Sequence, residues 1–210
     1  MSNAYIVTGT DTGIGKTTVA AMLVLALDAL YWKPIQSGTE DGTDRQRVRA
    51  LTQLPEDRFL PERYVLSQPL SPHRAAEIDG IEIESETLAP PVLEYTRTLV
   101  IEGAGGLMVP VTRDKLQIDL FSGWDLPIIL CARTALGTIN HTLLSIEALR
   151  SRKIKLHGFI FVGDANPDNM RTIADFSGGR ILGHVPRLGH VDRTALLNVF
   201  AGGFRREDFA

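Results

Sequence analysis

The feature that most constrains the fold is a glycine-rich turn at residues 9–18, with the sequence GTDTGIGKTT. It follows a short apolar run at 4–8, which predicts a strand, and precedes an apolar run at 19–27, which predicts a helix. The turn glycines let backbone N–H groups face phosphate oxygens, and the start of the helix adds partial positive charge. We therefore predict a phosphate cradle in which Lys16 reaches the outer phosphates and Thr17 holds Mg2+.

This turn is one residue longer than the common phosphate-loop pattern, because five residues separate Gly9 from Gly15. The alternative is a glycine-rich strand-to-helix turn that carries a solvated lysine. A Gly-Lys-Thr-Thr run directly between a strand and an apolar helix favours a nucleoside triphosphate site. The nucleotide-binding residues predicted in this turn are Gly13, Ile14, Gly15, Lys16, Thr17 and Thr18.

Composition and charge limit the kinds of protein that this sequence can encode. The 210 residues are enough for one α/β domain with a large core, and we predict a single domain over residues 1–210. A formal net charge of −3 gives no global field that favours nucleic acid or an anionic membrane. The run 19–27 is too short to span a bilayer and has no basic leader before it. The single cysteine, Cys131, excludes an internal disulfide. We therefore expect a cytoplasmic protein without a nucleic-acid or membrane partner.

Predicted strands alternate with predicted helices along the chain, which favours an α/β fold with a parallel β-sheet flanked by helices on both faces. The strands are predicted at 4–8, 31–35, 98–102, 127–132, 156–162 and 181–186. The helices are predicted at 19–27, 45–54, 80–96, 142–152, 167–176 and 193–200, with a further helix that begins near Ser71 and Pro72. Residues 36–44 are predicted as a polar loop and 55–75 as irregular.

Three polar residues lie at the boundaries of predicted elements and are candidates for the site. In open parallel sheets, ligands bind at the carboxyl ends of the strands. Lys33 ends the second strand and either faces the crevice of Lys16 or is a solvated strand-end lysine. Asp44 opens a helical stretch and is either its N-cap or a metal ligand. Glu102 ends a buried strand before a glycine turn, where a second metal-binding carboxylate belongs; the alternative is a strand-end glutamate.

Together these residues suggest a reaction type. The crevice would gather Lys16, Thr17, Lys33, Asp44 and Glu102, and two amines with two carboxylates around Mg2+ suit phosphoryl transfer from ATP. The set contains no activated nucleophile and no histidine pair for zinc. Gly137 and Thr138 form another helix N-terminus able to hold an anion.

Five segments of the chain resemble the dethiobiotin synthetase family and occur in that family's order. They are residues 9–17, 33–38, 71–73, 102–106 and 136–141. The resemblance runs from the first strand to Pro186, and the longer spacer of the phosphate loop is the family's own form. It implies the P-loop NTPase fold, a Rossmann-like arrangement in three layers.

The resemblance also implies an activity, that of a ligase in biotin biosynthesis. The substrates would be 7,8-diaminononanoate, CO2 and ATP as co-substrate, with Mg2+ as cofactor. An amine of the substrate would capture CO2 as a carbamate, which attacks the γ-phosphate of ATP to give a carbamic-phosphoric anhydride. The second amine would close the ring to give dethiobiotin, ADP and phosphate. The family is a homodimer with the substrate carboxylate at the subunit interface.

Residue roles follow from the resemblance position by position. Lys16, Lys33 and Thr12 would be catalytic and would hold the carbamate and the γ-phosphate, and Thr17, Asp44 and Glu102 would hold Mg2+. The substrate would bind at Thr12, Lys33, Ser37, Gly103, Gly105, Leu136, Gly137, Thr138 and Asn140. The base pocket of the nucleotide would be formed by Gly163, Asp164, Pro186, Arg187 and Leu188. The turn at 162–166 lacks the family's asparagine, so loose nucleotide selectivity is a hypothesis.

Two other classes of protein share related phosphate-loop folds. A switch ATPase of the partitioning or cell-division type usually carries an extra lysine early in the loop, where this chain has Thr10, Asp11 and Thr12. Another amide-forming ligase of the same superfamily generally carries a glutaminase domain with a nucleophilic cysteine, and Cys131 lies inside a predicted strand.

Overall fold

The computed structural model describes residues 4–91 and 97–209. Eight strands and seven α-helices occur in these ranges, together with three short 3-10 turns at Glu56–Arg58, Ser85–Leu88 and Arg206–Phe209. In chain order the elements are β1 (Ala4–Gly9), α1 (Lys16–Ala26), β2 (Leu30–Trp32), β3 (Ile35–Ser37), α2 (Asp44–Thr52), β4 (Tyr64–Leu66), α3 (Pro72–Asp79), β5 (Leu99–Gly106), α4 (Gln117–Trp124), β6 (Ile128–Arg133), α5 (Thr138–Ser151), β7 (Leu156–Val162), α6 (Pro167–Ser177), β8 (Ile181–Val185) and α7 (Arg193–Gly203).

Six strands form one parallel sheet in the order β2-β5-β1-β6-β7-β8. The central strand is β1, where Ile6 pairs with Ile101 of β5 on one side and with Ile128 of β6 on the other. The strand order changes direction at β1, and such a switch point opens a crevice at the carboxyl ends of the strands. The glycine turn that follows β1 lies in this crevice.

Side chains of the sheet alternate between two apolar layers, as the period of a strand requires. Tyr5 and Val7 of β1 belong to the apolar layer that includes α1, α2 and α7, whereas Ile6 belongs to the layer that includes α3, α4, α5 and α6. Helices therefore cover both faces of the parallel sheet, which confirms the fold class expected from the sequence.

The predicted strand at 31–35 is two strands, because Pro34 interrupts it. A proline donates no backbone hydrogen bond and restricts the residue before it. After Trp32 the chain leaves the main sheet, and β3 pairs with β4 in a separate two-stranded parallel sheet. The predicted loop at 36–44 therefore starts one residue after Ser37, and the predicted irregular segment 55–75 contains β4 and the start of α3.

The predicted helix at 80–96 is wrong over residues 80–91, where the structure has only the 3-10 turn Ser85–Leu88. Pro90 and Pro91 oppose a continuous helix there, and residues 92–96 lie outside the described residues. Helix α4 was not predicted, and α5 begins at Thr138 rather than at Thr142.

The connection from α1 to β2 is short and contains no glycine. Asp28 takes the left-handed conformation there, with φ of 54°, and its carboxylate pairs with Arg58 at 2.5 Å and Arg97 at 3.3 Å. The hydrogen bond from Arg58 holds the pKa of Asp28 below its usual range. Over residues 4–91 and 97–209, none of the helices has the length and apolar character needed to cross a membrane.

Candidate active site

A cavity of about 690 Å³ opens at the carboxyl ends of β1 and β5. Its wall combines the glycine turn, the end of β3, the first residues of α2, the segment before α3 and the glycine end of β5. The lining residues that were predicted from the sequence are Thr12, Gly13, Gly15, Lys16, Thr17, Thr18, Lys33, Ser37, Asp44, Glu102 and Gly105. Residues far apart in the sequence therefore meet in one cavity, as the parallel sheet requires.

The backbone of the glycine turn adopts conformations that favour glycine. Gly13 and Gly15 have φ values of 69° and 95°, in the left-handed region. A Cβ on Gly15 would come within 3.0 Å of Cγ1 of Val162. No described side chain caps the N-terminus of α1, so the first N–H groups of that helix are available to an anion in the cavity.

Lys16 turns back over this loop. Its side chain is buried, and Nζ donates a hydrogen bond to the backbone oxygen of Asp11 at 2.9 Å. Burial lowers the pKa of Lys16, and the nearby carboxylate of Glu102 partly opposes this effect. The ammonium group is therefore held at the loop and is poorly compensated in the folded protein, which makes it a strong partner for phosphate oxygens.

The hydroxyl of Thr17 lies between two carboxylates. Its Oγ1 is 2.8 Å from Oε1 of Glu102 and 3.1 Å from Oδ1 of Asp44. A hydroxyl has one proton to donate, so it satisfies one of these two acceptors at a time. Three oxygens from α1, α2 and β5 thus converge on one point of the cavity.

Lys33 joins this group of oxygens from the other side. Its buried Nζ forms ion pairs with Oδ2 of Asp44 and, at 3.3 Å, with Oε1 of Glu102. Burial alone would lower the pKa of Lys33, but the carboxylates of Glu102 and Asp44 outweigh burial and raise it. Burial likewise opposes the charge of Asp44, and Lys33 reverses this and lowers the pKa of Asp44. The alternative that Lys33 is a solvated lysine is therefore wrong.

The structure excludes one of the two interpretations of Asp44. The N-cap of α2 is Thr43, whose hydroxyl accepts from the backbone N–H of Gln46 at 3.2 Å, while the side chain of Gln46 accepts from the N–H of Thr43. This is a capping box. The N-cap interpretation of Asp44 is therefore wrong, and its carboxylate is free to face Thr17 and Lys33 instead of the helix start.

The oxygens around Thr17 fit a magnesium ion bound jointly with phosphates. Within the described ranges, no group of three or more histidine, cysteine, aspartate or glutamate side chains could hold a metal by itself. Mg2+ does not need such a group, because it keeps several waters and usually takes one or two carboxylates together with substrate phosphates. Thr17, Asp44 and Glu102 supply that kind of donor set beside the glycine turn.

Several residues of the site were not predicted. Tyr31 of β2 is fully buried, and its hydroxyl donates to Oε2 of Glu102 at 2.9 Å; burial, with Glu102 nearby, raises the pKa of Tyr31 well above its usual value. Gln117 of α4 accepts from the N–H of Ala104 at 2.6 Å and donates to the oxygen of Gly106 at 3.1 Å. Further unpredicted residues of the cavity wall are Arg47, Pro69, Leu70, Ser71, Pro72, Ala104 and Val109.

The predicted substrate residues near the cavity differ in position. The buried hydroxyl of Ser37 has no hydrogen-bond partner among the described residues, although a buried polar group normally has one. Ser37 therefore offers an unused polar group on the cavity wall. Gly105 lies on the wall with φ of 75°. Gly103 does not line the cavity, and a Cβ there would meet Phe121 and Gln117 of α4 at about 3 Å.

The predicted residues 136–140 lie apart from this cavity, at the start of α5. Leu136 is fully exposed, Gly137 has φ of 91°, and the buried Thr138 donates to the backbone oxygen of Arg133. A second cavity, of about 490 Å³, extends between α5 and residues 10–12 and 106–109. Thr12 lines both cavities.

The predicted base-binding residues lie at the ends of β7 and β8. Gly163 has φ of 128°, and a Cβ on it would be 2.7 Å from Oγ1 of Thr134. Asp164 forms an exposed ion pair with Arg187 at 2.9 Å. Pro186 and Leu188 line a third cavity, of about 620 Å³, beside α7. The side chain of Ile14 packs in the core, so only its backbone is available to a nucleotide.

Comparison with solved structures finds a similar fold in two MinD proteins. The septum site-determining protein MinD complexed with Mg-ADP from Pyrococcus horikoshii OT3 aligns with a TM-score of 0.55 and 13% identity, over 94% of this chain and 86% of that chain. The MinD cell division protein of Aquifex aeolicus aligns with a TM-score of 0.52 and 13% identity, over 96% of both chains. At this identity the likeness shows the fold, that of the P-loop NTPases.

Sequence comparison is more specific. Residues 3–195 match a family model described as an AAA domain. The ATP-dependent dethiobiotin synthetase BioD of Rhodopseudomonas palustris (strain TIE-1) is 56% identical over 100% of this chain and 98% of its own length. The protein of the same name from Novosphingobium aromaticivorans is 54% identical over 99% of each chain. With this identity over the full length, the chain belongs to the ATP-dependent dethiobiotin synthetase family.

Proposed function

We propose that the protein converts 7,8-diaminononanoate, CO2 and ATP to dethiobiotin, ADP and phosphate. One observation carries this proposal: Lys16, Lys33, Thr17, Asp44 and Glu102 meet in a single cavity beside a phosphate-binding turn. This group suits the transfer of a phosphoryl group. Two relatives that are 56% and 54% identical to this chain are named for this activity.

The proposed reaction begins on the substrate. One amine adds to the carbon of CO2 and loses a proton, which gives a carbamate. An oxygen of the carbamate attacks the γ-phosphorus of ATP, forming a carbamic-phosphoric anhydride and releasing ADP. The second amine then attacks the carbonyl carbon, loses a proton and expels phosphate, which closes the cyclic urea. Because the substrate supplies both nucleophiles, the protein has to position them and stabilise charge.

The residues of the cavity divide this work. The N–H groups at the start of α1 and the ammonium of Lys16 would bind the β- and γ-phosphates. Lys33 would neutralise negative charge on the carbamate oxygen and the γ-phosphate, and Thr12 and Ser37 would orient the carbamate by hydrogen bonds. When bound at Thr17, Asp44 and Glu102, Mg2+ would supply positive charge to the phosphate oxygens.

We further propose a homodimer that completes the substrate site. The predicted carboxylate-binding residues 136–140 lie outside the main cavity of their own chain, and Leu136 is fully exposed at the start of α5. The exposed Met108 and Leu144 lie on the second cavity, next to α5. In a dimer, the start of α5 from a second copy would hold the substrate carboxylate with its backbone N–H groups.

The first experiment measures phosphate release from ATP with Mg2+ and bicarbonate, with and without 7,8-diaminononanoate, and detects dethiobiotin by mass spectrometry. We expect phosphate release that depends on the diamine and matches the dethiobiotin formed. Release that ignores the diamine, with nucleotide bound and the fold intact, would instead favour a switch ATPase or a ligase for another substrate.

Replacing Glu102 by glutamine is expected to raise the Mg2+ concentration at half-maximal turnover by about tenfold or more. The amide has no negative charge, so one of the two carboxylates that face Thr17 is lost. The measurement is turnover as a function of Mg2+ at saturating ATP and diamine. Glu147→Gln, on the exposed surface of α5, is the matched control, and an unchanged Mg2+ dependence in Glu102→Gln would remove Glu102 from the metal site.

The exposure of the polar residues at the predicted base pocket indicates loose selectivity between nucleotide bases. Strong discrimination between bases requires buried polar groups that a wrong base leaves unpaired, whereas the side chains of Asp164 and Arg187 are about three-quarters exposed and pair with each other. We expect turnover with CTP and GTP to lie within about tenfold of turnover with ATP. The comparison is kcat/KM for the three nucleotides, and a strong preference for ATP would contradict this hypothesis.

A further inference from the structure

A buried tyrosine lies behind the carboxylates of the site. The side chain of Tyr31 is fully buried in β2, and its hydroxyl donates to Oε2 of Glu102 at 2.9 Å. Glu102 is itself 1% exposed. The hydrogen bond therefore links two buried polar groups outside the reach of bulk water, where such a bond is electrostatically strong and its loss is not replaced by solvent.

The two oxygens of Glu102 have separate partners. Oε2 accepts from Tyr31, whereas Oε1 lies 2.8 Å from the hydroxyl of Thr17 and 3.3 Å from Nζ of Lys33. Rotation about the last torsion of a glutamate is broad and roughly two-fold, so packing alone does not set the plane of its carboxylate. A donor on Oε2 sets that plane and leaves Oε1 directed at Thr17.

The register of the sheet explains why residue 31 can play this part. β2 and β5 run parallel, and Tyr31 pairs with Val100, two residues before Glu102. The ring of Tyr31 packs in the core beside Phe59, with ring centroids 6.3 Å apart. A long aromatic side chain anchored there carries its hydroxyl past Val100 to the carboxylate of Glu102, two residues further along β5.

We propose that Tyr31 is a positioning residue that holds the carboxylate of Glu102 so that its Oε1 faces the cation site at Thr17. This inference rests on the metal site of the proposed function. Tyr31 does not line the cavity, so it acts through Glu102 and not on the substrate.

The test measures metal binding rather than turnover. Mn2+ serves as a paramagnetic probe for Mg2+, and the electron paramagnetic resonance signal of free Mn2+ is titrated with the full-length protein in the presence of ADP. Tyr31→Phe keeps the ring beside Phe59 and removes only the hydroxyl. We expect it to weaken Mn2+ binding roughly tenfold, as is usual when a partner of a metal ligand is removed.

A double-mutant cycle separates positioning from a general structural effect. In Glu102→Gln the charged carboxylate is already lost, so adding Tyr31→Phe should weaken Mn2+ binding no further. Tyr64→Phe is the matched control, because that hydroxyl also has hydrogen-bond partners, Glu84 and Thr87, and belongs to the small sheet. We expect Tyr64→Phe to bind Mn2+ like the wild type.

Two results with the Tyr31→Phe variants would overturn the inference. One is wild-type affinity for Mn2+ in Tyr31→Phe, and the other is an equal loss on adding Tyr31→Phe to Glu102→Gln, which would mean that Tyr31 acts independently of Glu102. The assay contains no diamine, so a failure of dethiobiotin synthesis does not affect it. If the wild type with ADP binds no Mn2+, the proposed metal site and this inference are both wrong, whichever reaction the protein catalyses.

Discussion

Replacing Lys16 by alanine is expected to reduce turnover roughly 10³-fold and to leave the fold intact. Removal of a single group that stabilises charge in a transition state typically has an effect of this size. The ammonium of Lys16 is held at the glycine turn by its hydrogen bond to Asp11 and faces the cavity where the phosphates would bind. The proposed phosphoryl transfer therefore loses a fixed positive charge at the phosphate-binding turn.

The fold should tolerate this change because the buried charge of Lys16 is not favourable for folding. Burial lowers the pKa of Lys16, which means that the folded protein disfavours its charged form relative to water. Alanine at position 16 removes the cost of burying this charge and also favours helix α1, which begins at this residue. Diamine-dependent phosphate release gives the turnover, and thermal unfolding by circular dichroism gives the stability.

Lys155→Ala is the matched control for Lys16→Ala. Lys155 is exposed and precedes β7, at the opposite ends of the strands from the cavity, so we expect wild-type turnover. Two outcomes would contradict the role given to Lys16. One is turnover of Lys16→Ala within tenfold of the wild type, and the other is an unfolded variant, which would make Lys16 a structural residue.

The sequence predicts the parts of this site that depend on local patterns. Lys16 and Thr17 follow from the glycine turn, and Lys33 and Glu102 follow from their places at the ends of apolar runs. In a parallel sheet the carboxyl ends of all strands lie at one edge, so the predicted strands bring these residues together. The sequence alone therefore predicts the fold class and the meeting of these side chains.

Other features depend on contacts that the sequence does not show. Aspartate serves equally well as an N-cap and as a metal ligand, and only the capping box of Thr43 and Gln46 leaves Asp44 for the site. Tyr31 reads as an ordinary apolar strand residue, because its hydrogen-bond partner Glu102 is 71 positions away. Gln117 is a similar case, because it lies in the unpredicted helix α4, and its amide bonds to the backbone of Ala104 and Gly106, 13 and 11 positions away.

Replacing Lys33 by methionine is expected to reduce turnover about 10²–10³-fold. It is also expected to make the free energy of unfolding depend on Mg2+ and ADP. Lys33 is the buried cation between Asp44 and Glu102, whose side chains are 27% and 1% exposed. Without it, these two carboxylates lose the cation that pairs with both of them. Removing one partner of a buried ion pair lowers stability by about 3–5 kcal/mol.

Binding of Mg2+ with ADP should restore much of this lost stability, because a cation between Asp44 and Glu102 replaces the charge of Lys33. A ligand that binds only the folded protein stabilises it more when it binds more tightly. In Lys33→Met, the carboxylates of Asp44 and Glu102 no longer pair with Lys33, so they should bind the cation more tightly than in the wild type. Urea unfolding with and without Mg2+ and ADP measures this, and we expect a larger shift for Lys33→Met than for the wild type.

Lys115→Met separates this effect from the loss of any lysine. Lys115 also pairs with a carboxylate, that of Glu86 at 2.7 Å, but its side chain is 39% exposed. An exposed pair contributes at most about 1 kcal/mol, so Lys115→Met should change neither turnover nor the response to Mg2+ and ADP. If Lys33→Met instead loses equal stability with and without Mg2+ and ADP, Lys33 does not share its carboxylates with a metal. Full turnover in that variant would remove Lys33 from the catalytic group, because phosphoryl transfer would then proceed without the ammonium group that pairs with Asp44 and Glu102.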